Sequence, residues 1–182
     1  MPLTIRNWIL LAFPLFLPLP HLSGDVIVER APAPELIGSS WFNTPSNKPI
    51  TLASRKGHVT IVEFWTFSCI NCRRNLASYA KWSRDLAAEG VEVIGIHTPE
   101  TEPESVKENV EREIARLGIR YPILLDSDHE NWNRWHQEFW PTVYVIDKKG
   151  AIRYRWEGEL EYNHGGGTDK ILELVQHLIA EP

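Results

Sequence analysis

Cys69 and Cys72 are the only cysteines in a chain of 182 residues, and two residues separate them. A dithiol at this spacing can carry two electrons by opening and closing one disulfide. The reacting species is the thiolate, and an ordinary thiol, with a pKa of about 8.5, is mostly protonated at neutral pH. A helix N-terminus eases ionisation, because its unpaired N–H groups present partial positive charge. Cys69 at such a terminus is the expected nucleophile toward a substrate disulfide. Cys72, one helical turn later and deeper, reaches the same sulfur and is expected to resolve the mixed disulfide. Two other chemistries use such a pair. Zinc needs two more ligands at motif spacing, and neither His58 nor His97 has a partner so placed. A purely structural disulfide is the other, although closing so small a loop stabilises little.

A strand must deliver Cys69 to the helix start. Residues 60–66 (TIVEFWT) are rich in β-branched and aromatic side chains and read as that strand. The helix is expected over 69–90, with Gly90 as its C-terminal cap and Tyr79, Ala80, Ser83, Leu86 and Ala87 at helical spacing. Residues 91–96 (VEVIGI) form the next strand. Pro103 can open a further helix, with Val106, Val110, Ile114 and Leu117 as its apolar stripe. The acidic run over 100–113 reads as its solvated face. Short strands are expected at 41–43 and 123–125. Residues 142–146 (TVYVI) and 152–156 pair as a hairpin. A last helix buries Ile171, Leu174, Val175, Leu178 and Ile179. Strands and helices that alternate, then a hairpin and a final helix, predict an α/β fold with its sheet covered on both faces.

Composition agrees with one globular domain: 43% of residues are hydrophobic and 24% charged, which excludes disordered, collagen-like and coiled-coil chains. A net charge of −5 argues against nucleic acid as a partner, since such binders normally show a basic face. Before Asp25, Arg6 is the only charged side chain. The apolar run over 8–19 has signal-peptide length and is short for a membrane span. Pro14, Pro18 and Pro20 would also break a spanning helix. Residues 1–24 are therefore expected to be a signal peptide or an uncleaved N-terminal anchor, and either exports the domain to the periplasm or an equivalent compartment. Residues 25–38 read as a linker or an extended arm. The folded domain is expected over 39–182.

The pattern Glu63-Phe64-Trp65-x-x-x-Cys69-x-x-Cys72 after a strand resembles the thioredoxin superfamily. The segment between Val91 and Leu125 resembles the central insertion of exported TlpA/ResA-like thiol–disulfide oxidoreductases. Trp65-Thr66-x-x-Cys69-Ile70-Asn71-Cys72, followed by His97-Thr98-Pro99-Glu100, is similar to the redoxin-like domains of DipZ-type and NHL-repeat proteins. The resemblance implies a three-layer thioredoxin-like α/β fold, with a central mixed sheet, helices on both faces and a helical insertion. It implies that Pro141 is a cis-proline facing the disulfide, with Trp140 offering backbone to an extended substrate. Glu63 falls where the superfamily keeps a buried acid beneath the resolving cysteine. Burial would raise its pKa and suit it to take the Cys72 proton. Trp65 is expected beside the sulfurs, on the substrate side, or else in the core. The Ile70-Asn71 dipeptide lacks the usual proline, and Trp140 is bulkier than in many relatives. Both positions tune reduction potential and partner fit.

The function so implied is exchange of the dithiol with protein disulfides, mainly as a reductant, without metal or organic cofactor because the dithiol carries the electrons. Electrons are expected from a membrane partner or another dithiol protein, and the chain is expected to be a monomer. Two alternatives stand beside it. One is a thiol peroxidase, suggested by Thr66-x-x-Cys69, although Val62 stands where peroxiredoxins place a proline. The other is a non-catalytic binding or metallochaperone module. Trp132, Trp135, Phe139 and Trp140 form an aromatic stretch that either docks substrate or fills the core.

Overall fold

One mixed sheet organises the residues that the computed structural model describes, 25–26 and 30–182. The expected leader, 1–24, lies outside the described residues. In chain order the strands are β1 (Asp25–Val26), β2 (Ala31–Pro32), β3 (Trp41–Phe42), β4 (Thr60–Trp65), β5 (Glu92–His97), β6 (Ile123–Leu125), β7 (Thr142–Ile146) and β8 (Ala151–Glu157). In space they run β1-β8-β7-β4-β5-β6-β3, and β2 also pairs along β8. Central β4 is parallel to β5 and antiparallel to β7. The helices are α1 (Ile70–Asp85), α2 (Glu102–Ser105), α3 (Lys107–Leu117), α4 (Glu130–Arg134) and α5 (Gly167–Ala180). Among the described residues, no helix is long and apolar enough to cross a membrane.

Side-chain alternation along β4 divides the core in two. Ile61 and Trp65 face α1, α3 and α5, in a cluster with Cys72, Tyr79, Trp82, Val110, Ile114, Ile171 and Val175. Val62 and Phe64 face a thinner layer made of Leu36, Leu52 and Trp135, with Trp132 of α4 packed against it. The expected three-layer α/β fold is the one found, with its helical weight uneven. Three helices cover one face; an arm, a 3-10 turn and short α4 cover the other.

Three local readings change, and one left open between two alternatives resolves. Residues 31–38 form an arm rather than a free linker. The edge of β8 offers unpaired backbone groups, and β2 takes them antiparallel. Leu36 is buried, and the Glu35 carboxylate accepts the N–H groups of Leu52 and Ala53. The cysteine helix ends at Asp85, and a 3-10 turn over Ala87–Glu89 leads into left-handed Gly90 at φ 78°. Its buried side chains are Cys72, Asn75, Leu76, Tyr79 and Trp82; the indole of Trp82 turns inward instead of Ser83 because it removes far more apolar surface from water. The insertion helix is broken at Val106 (φ −81°, ψ 115°), which leaves Val106 exposed and turns Glu104 inward. Glu104 is thus not part of a solvated face.

Candidate active site

Cys69 is the N-cap of α1, and its sulfur accepts the Cys72 N–H at 3.1 Å. That N–H is one of the donors a helix start leaves unpaired, so the backbone field favours negative charge on Cys69. The two cysteines are joined in a disulfide, with Cα atoms 5.3 Å apart. Cys69 is half-buried and Cys72 wholly buried. An attacker from solvent therefore meets Cys69 first. Ile70 beside it is 60% exposed. Among the described residues, no group of three or more His, Cys, Asp or Glu side chains could hold a metal ion.

The Trp140–Pro141 bond is cis, as the resemblance implied. Phe139 is exposed, and half-buried Trp140 lies against Trp132 with ring centroids 3.9 Å apart. The loop after β8 ties this corner to the cysteine helix. Gly158 N–H donates to the Pro141 carbonyl at 2.8 Å. Asn75, one turn past Cys72, donates to the Gly158 carbonyl at 3.1 Å and accepts Leu160 N–H at 2.9 Å. Buried Asn75 has its Oδ1 and Nδ2 engaged in these bonds, which are short enough to fix the register of α1 against the proline corner.

Glu63 shares its face of β4 with Ile61 and Trp65, the face whose core cluster includes Cys72. Its carboxyl is fully buried; Oε1 accepts the Tyr121 hydroxyl at 3.1 Å, and Oε2 has no hydrogen-bond partner among the described residues. Burial pushes this carboxyl well above the usual range, and the Tyr121 hydrogen bond opposes the push without cancelling it. Tyr121→Phe is expected to raise the Glu63 titration further, read by carbon NMR of the carboxyl, and to cost about 1 kcal/mol of stability. Trp65 is wholly buried in the cluster that holds Cys72. It is a core residue behind the pair, not a substrate contact: strand alternation sends it inward, where its ring meets His97 edge-on at 5.0 Å.

The residues that sequence reasoning passed over come from the insertion and its borders. Glu104 accepts Ser68 N–H at 2.9 Å and the Thr66 hydroxyl, one and three residues before Cys69. Desolvation pushes its carboxyl up, but hydrogen bonds from Ser68, Thr66 and the Glu100 backbone outweigh that and hold it down at about 2. His97 is buried; its Nε2 accepts Phe67 N–H at 3.3 Å, and its ring stacks on Phe67 at 5.4 Å. Burial holds this imidazole down at about 4, against the pull of the Glu104 charge, so it is neutral at physiological pH. Thr101 and Glu104 form a capping box. Their T-x-x-E spacing was the one local signal that could have marked Glu104 as more than a surface acid.

Residues 29–155 match the AhpC/TSA family. Protein DipZ of Mycobacterium bovis is 44% identical over 132 residues, 72% of this chain and 19% of DipZ. The chain thus spans about a fifth of that relative's length. Thiol-disulfide oxidoreductase YkuV of Bacillus subtilis is 29% identical over 154 residues, 84% of this chain and 97% of YkuV. The crystal structure of a thiol:disulfide interchange protein of the thioredoxin family from Chlorobium tepidum TLS superposes with a TM-score of 0.63. It is 24% identical and covers 85% of this chain and 100% of its own. At that identity it shows the fold. The matched span contains the strand, the cysteine pair and Pro141, and the chain belongs to the AhpC/TSA family, as a thioredoxin-like fold equipped for thiol–disulfide exchange.

Proposed function

We propose that the chain reduces disulfides in protein substrates, working outside the cytoplasm. The observation that carries this reading is the half-exposed Cys69 sulfur at the tip of α1, with the Cys72 N–H aimed at it and Cys72 sealed behind. In the dithiol form the Cys69 thiolate attacks a substrate disulfide. The substrate S–S bond breaks, one substrate sulfur leaves as thiolate, and a mixed disulfide forms. Cys72 then loses its proton to Glu63 and attacks the Cys69 sulfur. The second substrate thiol leaves, and the Cys69–Cys72 disulfide remains. A carboxyl with a raised pKa suits this transfer, because proton exchange is easiest between groups of similar pKa. When a dithiol or membrane donor reopens the disulfide, protonated Glu63 returns the proton to Cys72. Trp140 and Pro141 offer the backbone edge against which an extended substrate lies, with exposed Phe139 and Ile70 as its apolar border. The export reading rests on the composition of residues 1–24.

The peroxidase alternative draws on Thr66-x-x-Cys69 and on the family match. The Thr66 hydroxyl is buried and donates to Glu104, which commits it to the scaffold instead of to a peroxide. The test is reduction of insulin disulfides with dithiothreitol as donor. Wild-type protein is expected to accelerate it, Cys69→Ser to abolish the acceleration, and Cys72→Ser to accumulate mixed disulfides. Acceleration that survives Cys69→Ser would overturn the reading. Rapid consumption of hydrogen peroxide with no effect on insulin would favour the peroxidase.

A further inference from the structure

Glu104 belongs to the insertion, yet its side chain ends at the loop that carries Cys69. One carboxylate oxygen accepts Ser68 N–H and the Thr66 hydroxyl. The other accepts the N–H groups of Glu100 and Thr101 at 2.9 Å each and the Thr101 hydroxyl at 3.1 Å. These five partners are all donors, and the side chain is fully buried. That pattern fixes an ionised carboxylate. A protonated oxygen or an amide would turn a donor toward a donor. Covalent geometry then places the charge within about 10 Å of the Cys69 sulfur, since Ser68 N–H is held directly and Cys69 is the next residue.

We propose that Glu104 is a positioning residue for Cys69, locking residues 66–68 against the start of α1 while its charge opposes thiolate formation and biases the pair toward donating electrons. The inference rests on the oxidoreductase reading above. Two fields meet at the nucleophile. The α1 terminus favours the thiolate through the Cys72 N–H, and the Glu104 carboxylate disfavours it. A reduced form whose thiolate is held less firmly gives up its electrons more readily. The other charged groups nearby do not substitute for Glu104. Glu63, beneath on β4, is the same in wild type and in the Glu104 variants and so cancels in their comparison, and His97 is neutral. Arg74 on α1 is paired with Glu159 at 2.5 Å, and Arg73 lies in the field of Glu113 on α3.

The experiment measures the rate of Cys69 alkylation against pH in the reduced protein, together with the exchange equilibrium with glutathione. Glu104→Gln removes the charge, and Thr66→Val removes one donor while leaving the charge. Glu104→Gln is expected to lower the Cys69 titration midpoint by roughly half a unit. Alkylation below both midpoints then runs about two-fold faster, after allowance for the weaker nucleophilicity of a more acidic thiol. Above both midpoints the glutathione equilibrium moves about three-fold toward the dithiol. Thr66→Val is expected to leave the midpoint in place. A folded Glu104→Gln protein with an unmoved or raised midpoint overturns the proposal, and so does Thr66→Val shifting it equally. Should Glu104→Gln not fold, Glu104→Asp withdraws the charge by one methylene. The same downward direction at smaller amplitude is expected, and an unmoved midpoint overturns the proposal there too. None of these readouts needs a protein substrate, so failure of the insulin assay would not be mistaken for failure here.

Discussion

Glu63→Gln is expected to slow resolution of the mixed disulfide by about 100-fold and, at the same time, to stabilise the fold at neutral and alkaline pH. Both effects follow from one buried carboxyl. In the folded chain, burial keeps the proton on Glu63 to a pH well above 4.5. In the unfolded chain the same carboxyl ionises near its ordinary value. The folded pKa is thus the higher one, so the unfolded state releases the proton first as pH rises. The Glu63 contribution is fully present below about 4.5 and declines through the interval up to the folded pKa, by as much as about 1.4 kcal/mol per pH unit. Glutamine has no proton to release and escapes the decline. At pH 4 the two proteins should unfold at similar urea concentrations, and at pH 8 the variant should unfold at the higher one. Rapid-quench trapping of the mixed disulfide reads the kinetic half. Equal stability differences at both pH values would remove the raised carboxyl from the argument. Unimpaired resolution would remove it from the mechanism.

Glu104 carries the opposite sign. Its folded pKa lies at about 2, below the ordinary 4.5, so its contribution is present above about 4.5 and is lost as pH falls toward 2. Of these two buried acids, burial holds Glu63 toward its protonated form and hydrogen bonds hold Glu104 toward its ionised form. On the proposed mechanism the first moves charge and the second fixes it. Environment alone sets the difference. Among the described residues, Glu63 has one hydroxyl donor and an unpartnered oxygen, whereas Glu104 has donors on both oxygens.

This asymmetry also explains what could be seen from the chain alone. The cysteine pair and the strand before it announce themselves within a dozen residues, because strand alternation, helix capping and the two-residue spacing are local physics, whereas the role of the proline before β7 came from the family resemblance. Helix bounds and the inward face of α1 were less legible, since which side chain turns in depends on what lies opposite. The partners of Glu63, Glu104 and Asn75 are unreadable for a different reason. Tyr121 is 58 residues from Glu63, Thr66 is 38 from Glu104, and Leu160 is 85 from Asn75. A buried acid inside an acidic run has the same letters as a solvated one. Only its donors tell them apart, and the fold supplies those. The arm over 31–38 was ambiguous because its two prolines suit a linker and an edge strand equally.

Gly95→Ala is expected to destabilise the protein by about 2 kcal/mol, and much of that cost should disappear when Glu63 is removed. Glycine is a poor strand residue, so its place in the middle of β5 needs a reason. Gly95 lies opposite Glu63 in the parallel pairing with β4. A methyl group there would meet Ile123 Cδ1 at 2.5 Å, Glu63 Oε1 at 2.7 Å and Trp65 Nε1 at 3.2 Å. The Ile123 methyl can swing aside at small cost, but the carboxyl has little freedom. It is wholly buried and held by Tyr121, and moving it strains that bond or drives it into the indole. The absent side chain is thus the space the acid occupies. Urea unfolding of the wild type, Gly95→Ala, Glu63→Ala and the double variant closes a cycle in which contacting residues show coupling of roughly 0.5–3 kcal/mol. The glycine substitution should cost clearly less in the Glu63→Ala background. Gly95→Ala alone should also slow resolution, because it displaces the carboxyl proposed to take the Cys72 proton. Strict additivity would show that Gly95 serves the packing of Ile123 and not the acid. Coupling of the expected sign would make the glycine part of the proton-transfer apparatus, although it carries no group that can touch a proton.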